Sequence, residues 1–218
     1  MSFTKNMIDK KYRLVYYVGV GKRDITKRHI IEKTAKLFNT KGYAATSLQD
    51  LTQATGLTKG SIYGNFKNKD ELALSSFAHN ARLRKRSIVA ELKSAGTSSL
   101  DRLLVYPRVF RKRWQEIDKH GGCPIVNTSI DAADTHQSLL QAVRDTIEDW
   151  RKAIKIYLQR GMQAGELRQD INVEKTAALI IGLVEGGMWM VRATGRTEDL
   201  NAILEHAESV IMGLAKES

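Results

Sequence analysis

The chain has 218 residues, 42% hydrophobic and 27% charged, with 35 Lys and Arg against 24 Asp and Glu for a formal charge of +11. That length suffices for one sizeable core, or for a core with a small satellite domain. Two prolines against 16 glycines exclude a proline-rich or low-complexity chain, and a single cysteine excludes a disulfide framework.

The charge is unevenly placed. Residues 1–70 hold 14 of the Lys and Arg but only 5 of the Asp and Glu, a net +9, which leaves +2 for residues 71–218. A basic first third points to a polyanion as partner. The longest apolar run, Ala177 to Val184, is far short of the roughly 20 residues of a spanning helix. The N-terminus carries no convincing cleavage site. A soluble cytoplasmic protein with no membrane partner is expected. With only five His, no metal-ligand spacing surrounds Cys123, so neither metal nor cofactor is expected.

Residues 1–22 form a basic N-terminal extension in which Lys5, Lys10, Lys11, Arg13 and Lys22 alternate with Tyr12, Tyr16 and Tyr17. It reads either as a DNA-tracking arm or as an unstructured extension. From Asp24, apolar residues at three- and four-residue intervals (Ile30, Ile31, Leu37, Phe38) predict a helix over 24–41. Thr46, with Gln49 three positions on, suggests a capping box for a second helix ending at Thr55-Gly56. Gly56 supplies a sharp turn. Thr58 caps a short third helix through Phe66, and Asn68 to Glu71 open a fourth. Phe38, Leu51, Leu57 and Phe66 are the expected small core. Two short helices joined by a glycine turn describe a helix-turn-helix unit over 23–72.

The stretch Leu51-Thr-Gln-Ala-Thr-Gly-Leu-Thr-Lys-Gly-Ser-Ile-Tyr-Gly-Asn-Phe-Lys-Asn-Lys-Asp-Glu-Leu72 resembles the DNA-binding signature of the TetR/AcrR family of bacterial repressors. The likeness lies in the glycine turn, in Tyr63 three residues before Phe66, and in the Lys-x-x-Leu that opens the fourth helix. It implies an all-α fold: an N-terminal three-helix DNA-binding domain and, over 73–218, a helical ligand-binding and dimerisation domain. Thr52 and Thr55 stand where the family usually has alanine, and Asn65 where it often has His or Tyr. A threonine hydroxyl can bond the preceding turn, whereas Asn65 alters what the third helix offers DNA.

A short helix on a basic module fits a major groove about 12 Å wide. Thr58, Lys59 and Asn65 are candidates for base contact, with Ser61 on the same exposed helix. Thr46, Tyr63 and Lys69 suit phosphate, because helix N-termini present unpaired N–H groups to anions. The resemblance also puts Tyr63 and Lys69 in those roles.

Beyond residue 72, helical stripes run over Gln137–Glu166, Val173–Arg192 and Glu198–Ala215, with Gly161, Gly165 and Gly195 as breaks or caps. Tyr106, Phe110, Trp114 and Asn127 are candidates for the pocket of a small, mainly apolar effector. Gly121-Gly122-Cys123-Pro124 places Cys123 near a helix start beside Lys119 and His120, a setting that lowers a thiol pKa. The Gly-Cys stretch also resembles a TetR subgroup with oxidant- or electrophile-sensing members. The wide apolar faces of the 137–166 and 173–193 helices, including Trp150, Tyr157 and Trp189, predict a homodimer through a four-helix bundle.

These features converge on a DNA-binding transcriptional repressor released from double-stranded operator DNA by a small molecule or an oxidant. Two other readings of the same residues are a DNA-binding structural or division-control protein without a ligand, and an enzyme using Cys123 with His120 as base.

Overall fold

The structure is a computed structural model that describes residues 21–216. The extension ahead of residue 21, and with it the arm reading, lies outside the described residues. Among those described the chain is all-helical, with nine helices: α1 (Lys22–Ala45), α2 (Leu48–Thr55), α3 (Lys59–Tyr63), α4 (Lys69–Ser94), α5 (Ser99–Lys119), α6 (Pro124–Ala132), α7 (Gln137–Gln163), α8 (Val173–Thr194) and α9 (Thr197–Met212).

Helices α1 to α3 and the start of α4 enclose a small core of Ile30, Leu51, Ile62, Phe66 and Leu72, with Leu37, Phe38 and Leu57 against it. Burying each of these large side chains stabilises the unit by roughly 1.5–3 kcal/mol. Thr52 and Thr55 do not disturb α2: each hydroxyl donates back into the helix, to Gln49 O at 2.9 Å and to Leu51 O at 2.7 Å. The boundary near residue 72 falls inside a continuous helix. Leu72 of α4 belongs to the small core, while its neighbour Ala73 and, one turn beyond, Phe77 belong to the large core of α4 to α9.

The expected start of α2 is displaced by one residue. Ser47, not Thr46, is the N-cap: its hydroxyl accepts from Asp50 N while the Asp50 carboxylate accepts from Ser47 N at 2.8 Å, a reciprocal box. Thr46 is buried and donates its hydroxyl to Gly42 O at 2.6 Å. Gly42 itself breaks the end of α1 with φ of 80°, a conformation open to glycine without Cβ strain. Gly161, by contrast, is no break: it lies within α7, where a Cβ would meet Leu167 Cγ at 2.6 Å and Ser99 Cβ at 2.9 Å.

In the large core, α8 lies against α9, α7 and α5. By length and composition α8 is apolar enough to cross a bilayer, although its uninterrupted apolar run is short. Its inner face, Ala177, Ile180, Ile181, Val184, Gly187, Met188 and Val191, is buried within the bundle. On α5 and α9, Arg108 and Arg111 pair with Glu208 at 2.9 and 2.6 Å.

Candidate nucleic-acid interface

The reading unit is built by its turns. Gly56, at φ of 69°, ends α2 in the left-handed region and donates its N–H to Thr52 O at 2.9 Å. Thr58 then caps α3, its hydroxyl accepting from Ser61 N at 3.2 Å. Ile62 anchors the helix in the small core, so Thr58, Lys59 and Gly60 are left exposed. Ser61 and Tyr63 are half-buried on the same short helix.

Asn65 is turned differently from expectation. Its amide donates to Ser61 O at 2.9 Å, and its Oδ1 is buried without a protein partner among the described residues. The side chain closes the end of α3 rather than presenting a donor–acceptor edge to a base. Thr46 is also no phosphate ligand through its hydroxyl, which is buried and committed to Gly42.

Sequence reasoning missed the α2 side of this surface. Gln49, Thr52, Gln53, Gly56, Leu57 and Thr58 line one shallow open groove. Gln49 and Gln53 are exposed and one helical turn apart; that i, i+4 spacing was the available signal. Glutamine amides can pair bidentately with adenine.

At the start of α4, Lys69 extends its ammonium over the Tyr43 ring, 4.4 Å from the centroid. Burial lowers its pKa, against the raising effect of Asp70, Asp131 and Asp50. Asn68 caps this helix by accepting from Glu71 N at 2.9 Å, and Glu71 pairs with Lys27 of α1 at 3.2 Å.

Tyr43 also begins the seam to the regulatory bundle. Its hydroxyl donates to Asp70, an arrangement that holds the carboxyl below its ordinary range and pushes the phenol up to about 12. Its N–H donates to the Asp131 carboxylate of α6 at 2.6 Å. His136, the N-cap of α7, accepts from Leu139 N through Nδ1, so Nε2 carries the proton that faces Asp70 at 3.5 Å.

Asn127, expected in a ligand pocket, belongs to this seam as well. It donates to Asn39 O at 3.0 Å and to Gly121 O at 2.7 Å, and Asn39 donates in turn to His120 O at 2.8 Å. Tyr106, Phe110 and Trp114 are buried together in the large core. Trp150 joins them instead of a dimer face: it is 7% exposed, with ring centroids 5.9 Å from Tyr106 and 6.0 Å from Phe110. Tyr157 is half-buried, and Trp189 alone of the three is open, at 51%.

Cys123 does stand at the start of α6, but in the opposite electrostatic setting from the one expected. Burial first, and then the Glu185 carboxylate, push its thiol up to about 12, which leaves it protonated at neutral pH. His120 is exposed, its Nδ1 committed to Glu116 O at 2.8 Å. Neither an activated sensor thiolate nor a Cys–His nucleophile pair is assembled here.

Residues 30–75 match the bacterial regulatory proteins of the tetR family, and residues 99–207 match the tetracyclin repressor-like C-terminal domain. A TetR-family transcriptional regulator from Cytophaga hutchinsonii is 40% identical and superimposes with a TM-score of 0.86, covering 91% of this chain and 98% of that one. A TetR regulator from Chloroflexus aurantiacus J-10-FL is 32% identical, with a TM-score of 0.85 over 90% and 99% of the two chains. Among curated relatives, the HTH-type transcriptional repressor DhaR of Mycobacterium sp. (strain GP1) is 24% identical over 182 residues, 84% of this chain and 90% of that protein. With a helix-turn-helix head on a helical body of matching length, the chain belongs to the TetR family of DNA-binding transcriptional regulators.

Proposed function

We propose that the protein is a homodimeric repressor that holds operator DNA through α3 of each protomer and releases it when a small molecule binds the regulatory bundle. The observation that carries this reading is the exposure of the α3 face, Thr58 and Lys59, on a unit whose residues 21–70 carry a net charge of +6 and whose other side is fastened to the bundle. Thr58 and Lys59 read base edges. Ser61, Tyr63, Lys69 and the N-terminus of α2 hold phosphates. The protein acts in the cytoplasm, where its DNA is.

A dimer is supported by the outer face of α8, where Leu179 and Trp189 are 48% and 51% exposed and Gly182 and Gly186 have open space at the Cβ position. α7, expected to share that face, instead exposes polar residues such as Gln141, Arg144, Glu148 and Lys152. Two-fold pairing through α8 sets two α3 helices for half-sites about 34 Å apart. Effector binding that favours another spacing weakens operator binding, and by linkage the operator weakens effector binding equally.

The test is selection of binding sites from random duplex DNA, followed by affinity measured against salt. A palindromic site with half-sites one turn apart, bound with a steep salt slope, is the expected outcome; a sequence-independent profile, or binding across many unrelated promoters, refutes a dedicated repressor.

A further inference from the structure

Inside the regulatory bundle lies a buried ion pair within an aromatic wedge. Arg84 of α4 reaches into the bundle and pairs with Glu185 of α8; their side chains are 9% and 14% exposed. The Arg84 guanidinium carbon stands 4.1 Å from the Trp150 centroid on α7 and 4.6 Å from the Phe110 centroid on α5. Four helices therefore meet around one planar cation.

That cation is incompletely satisfied. The pair uses one guanidinium nitrogen and one carboxylate oxygen, Nη2 and Oε1. Arg84 Nε and Trp150 Nε1 are buried with no protein hydrogen-bond partner among the described residues, and Glu185 Oε2 has no nitrogen or oxygen partner there, only the neutral Cys123 thiol standing beside the carboxylate. A carboxylate meets a guanidinium or amidinium best through two parallel N–H···O bonds. Here the pair makes a single bond, leaving Arg84 Nε and Glu185 Oε2 idle in the two forks.

We propose that Arg84 is a built-in occupant of the effector site, and that the effector is an organic cation with a planar head bearing two N–H groups on one edge, an amidinium or guanidinium, on a flat apolar body. Such a ligand takes the wedge between Phe110 and Trp150 and satisfies both oxygens of Glu185. Exchange of one cation for another keeps the buried carboxylate compensated. An anion would set a second negative charge beside Glu185, and a neutral ligand that expelled Arg84 would leave the carboxylate alone. A quaternary ammonium fits the aromatic wedge but offers Glu185 no N–H.

The exchange also supplies the signal. Arg84 sits on the same helix as Leu72, which belongs to the core of the DNA-reading unit. Expelling Arg84 loosens α4 from α5, α7 and α8 at one place and frees the reading head at its other end. This proposal rests on the effector-released repressor reading but is tested without DNA, so failure of one is separable from failure of the other.

The experiment is calorimetric titration of the full chain with benzamidine, and with benzamide, benzoate and benzyltrimethylammonium as neutral, anionic and non-donating counterparts. Benzamidine is expected to bind more tightly than all three. Arg84→Met removes the internal competitor and is expected to bind benzamidine about tenfold tighter or more, because the occupied fraction of the site no longer discounts the affinity. Glu185→Gln is expected to lose about tenfold or more, as one good contact to a charged group is worth. Arg84→Lys, which keeps the charge but loses the planar fork, stands in if Arg84→Met does not fold, and is expected to bind benzamidine more tightly than the wild type. Benzamide binding as tightly as benzamidine, or benzamidine affinity in the folded Arg84 variant no higher than in the wild type, overturns the proposal.

Discussion

Asn39 of α1 and Asn127 of α6 hold one another across the boundary between the reading head and the regulatory bundle. The Asn127 amide donates to the Asn39 main-chain carbonyl at 3.0 Å and to its side-chain oxygen at 3.2 Å, while the Asn39 amide closes on His120 O and Gly122 O. Neither domain can rotate against the other without breaking these bonds. Removing one partner leaves buried polar groups unsatisfied, at a cost of about 1–3 kcal/mol. Asn127→Ala is therefore expected to lower the unfolding midpoint, and Asn39→Ala with Asn127→Ala to cost less than the two single changes together. Additive losses in the double-mutant cycle would show that the amides do not act as one latch.

The neighbouring Tyr43–Asp70 bond makes stability depend on pH at both ends of the scale. The folded state lowers the Asp70 pKa, chiefly through the Tyr43 hydroxyl. Its stabilisation is thus complete above the unfolded value near 4 and lost as pH falls through the lower folded value. For Tyr43 the sign is reversed: with a folded pKa of about 12, the contribution is complete below about 10 and fades as pH rises through the folded value. Tyr43→Phe is expected to flatten both limbs of the curve of denaturation midpoint against pH. An acid limb unchanged by the substitution would mean that other carboxylates govern it.

On α3, fold and reading separate cleanly between neighbours. Ile62 is fully buried in the small core, and Lys59 is exposed. Ile62→Ala is expected to cost about 2–5 kcal/mol of stability, abolishing operator binding by melting the reading head. Lys59→Ala is expected to leave the unfolding midpoint unchanged and to weaken operator binding by about 1–3 kcal/mol. Asn65→Ala, whose amide is spent on Ser61 O, should lower stability while sparing sequence preference. A changed preferred operator in the Asn65 variant would show that the amide turns outward on DNA.

Helix periodicity and the glycine turn made the reading head legible in the sequence, because both are local. The cap register was not: Thr46 and Ser47 are both good N-caps, and only the kink at Gly42, which buries Thr46 against its carbonyl, hands the role to Ser47. The same limit governs the tryptophans. Trp150 and Trp189 lie on similar apolar stripes, and what distinguishes them is Arg84, distant in sequence, reaching the face of Trp150. Cys123 does stand at a helix start, but burial first and then Glu185 of α8, not its neighbours Lys119 and His120, set its environment. The same limit hides the bonding of Asn127, whose partner Asn39 lies 88 residues away.

The outer face of α8 allows a test in which stability and assembly move in opposite directions. Gly182 and Gly186 lie in mid-helix with nothing within 4 Å of a Cβ at either position. Inside one protomer, glycine there weakens the helix by roughly 0.5–1 kcal/mol relative to alanine and contributes no side-chain packing. Two glycines one turn apart, flanked by exposed Leu179 and Trp189, make sense where another helix approaches closely. Gly182→Leu is accordingly expected to leave the protomer as stable or slightly more stable, yet to hold the partner helix away and shift sedimentation at micromolar concentration from dimer to monomer. Operator affinity should fall with it, since each protomer then binds a single half-site. A Gly182→Leu protein that still sediments as a dimer and binds its operator undiminished would move the interface off this face.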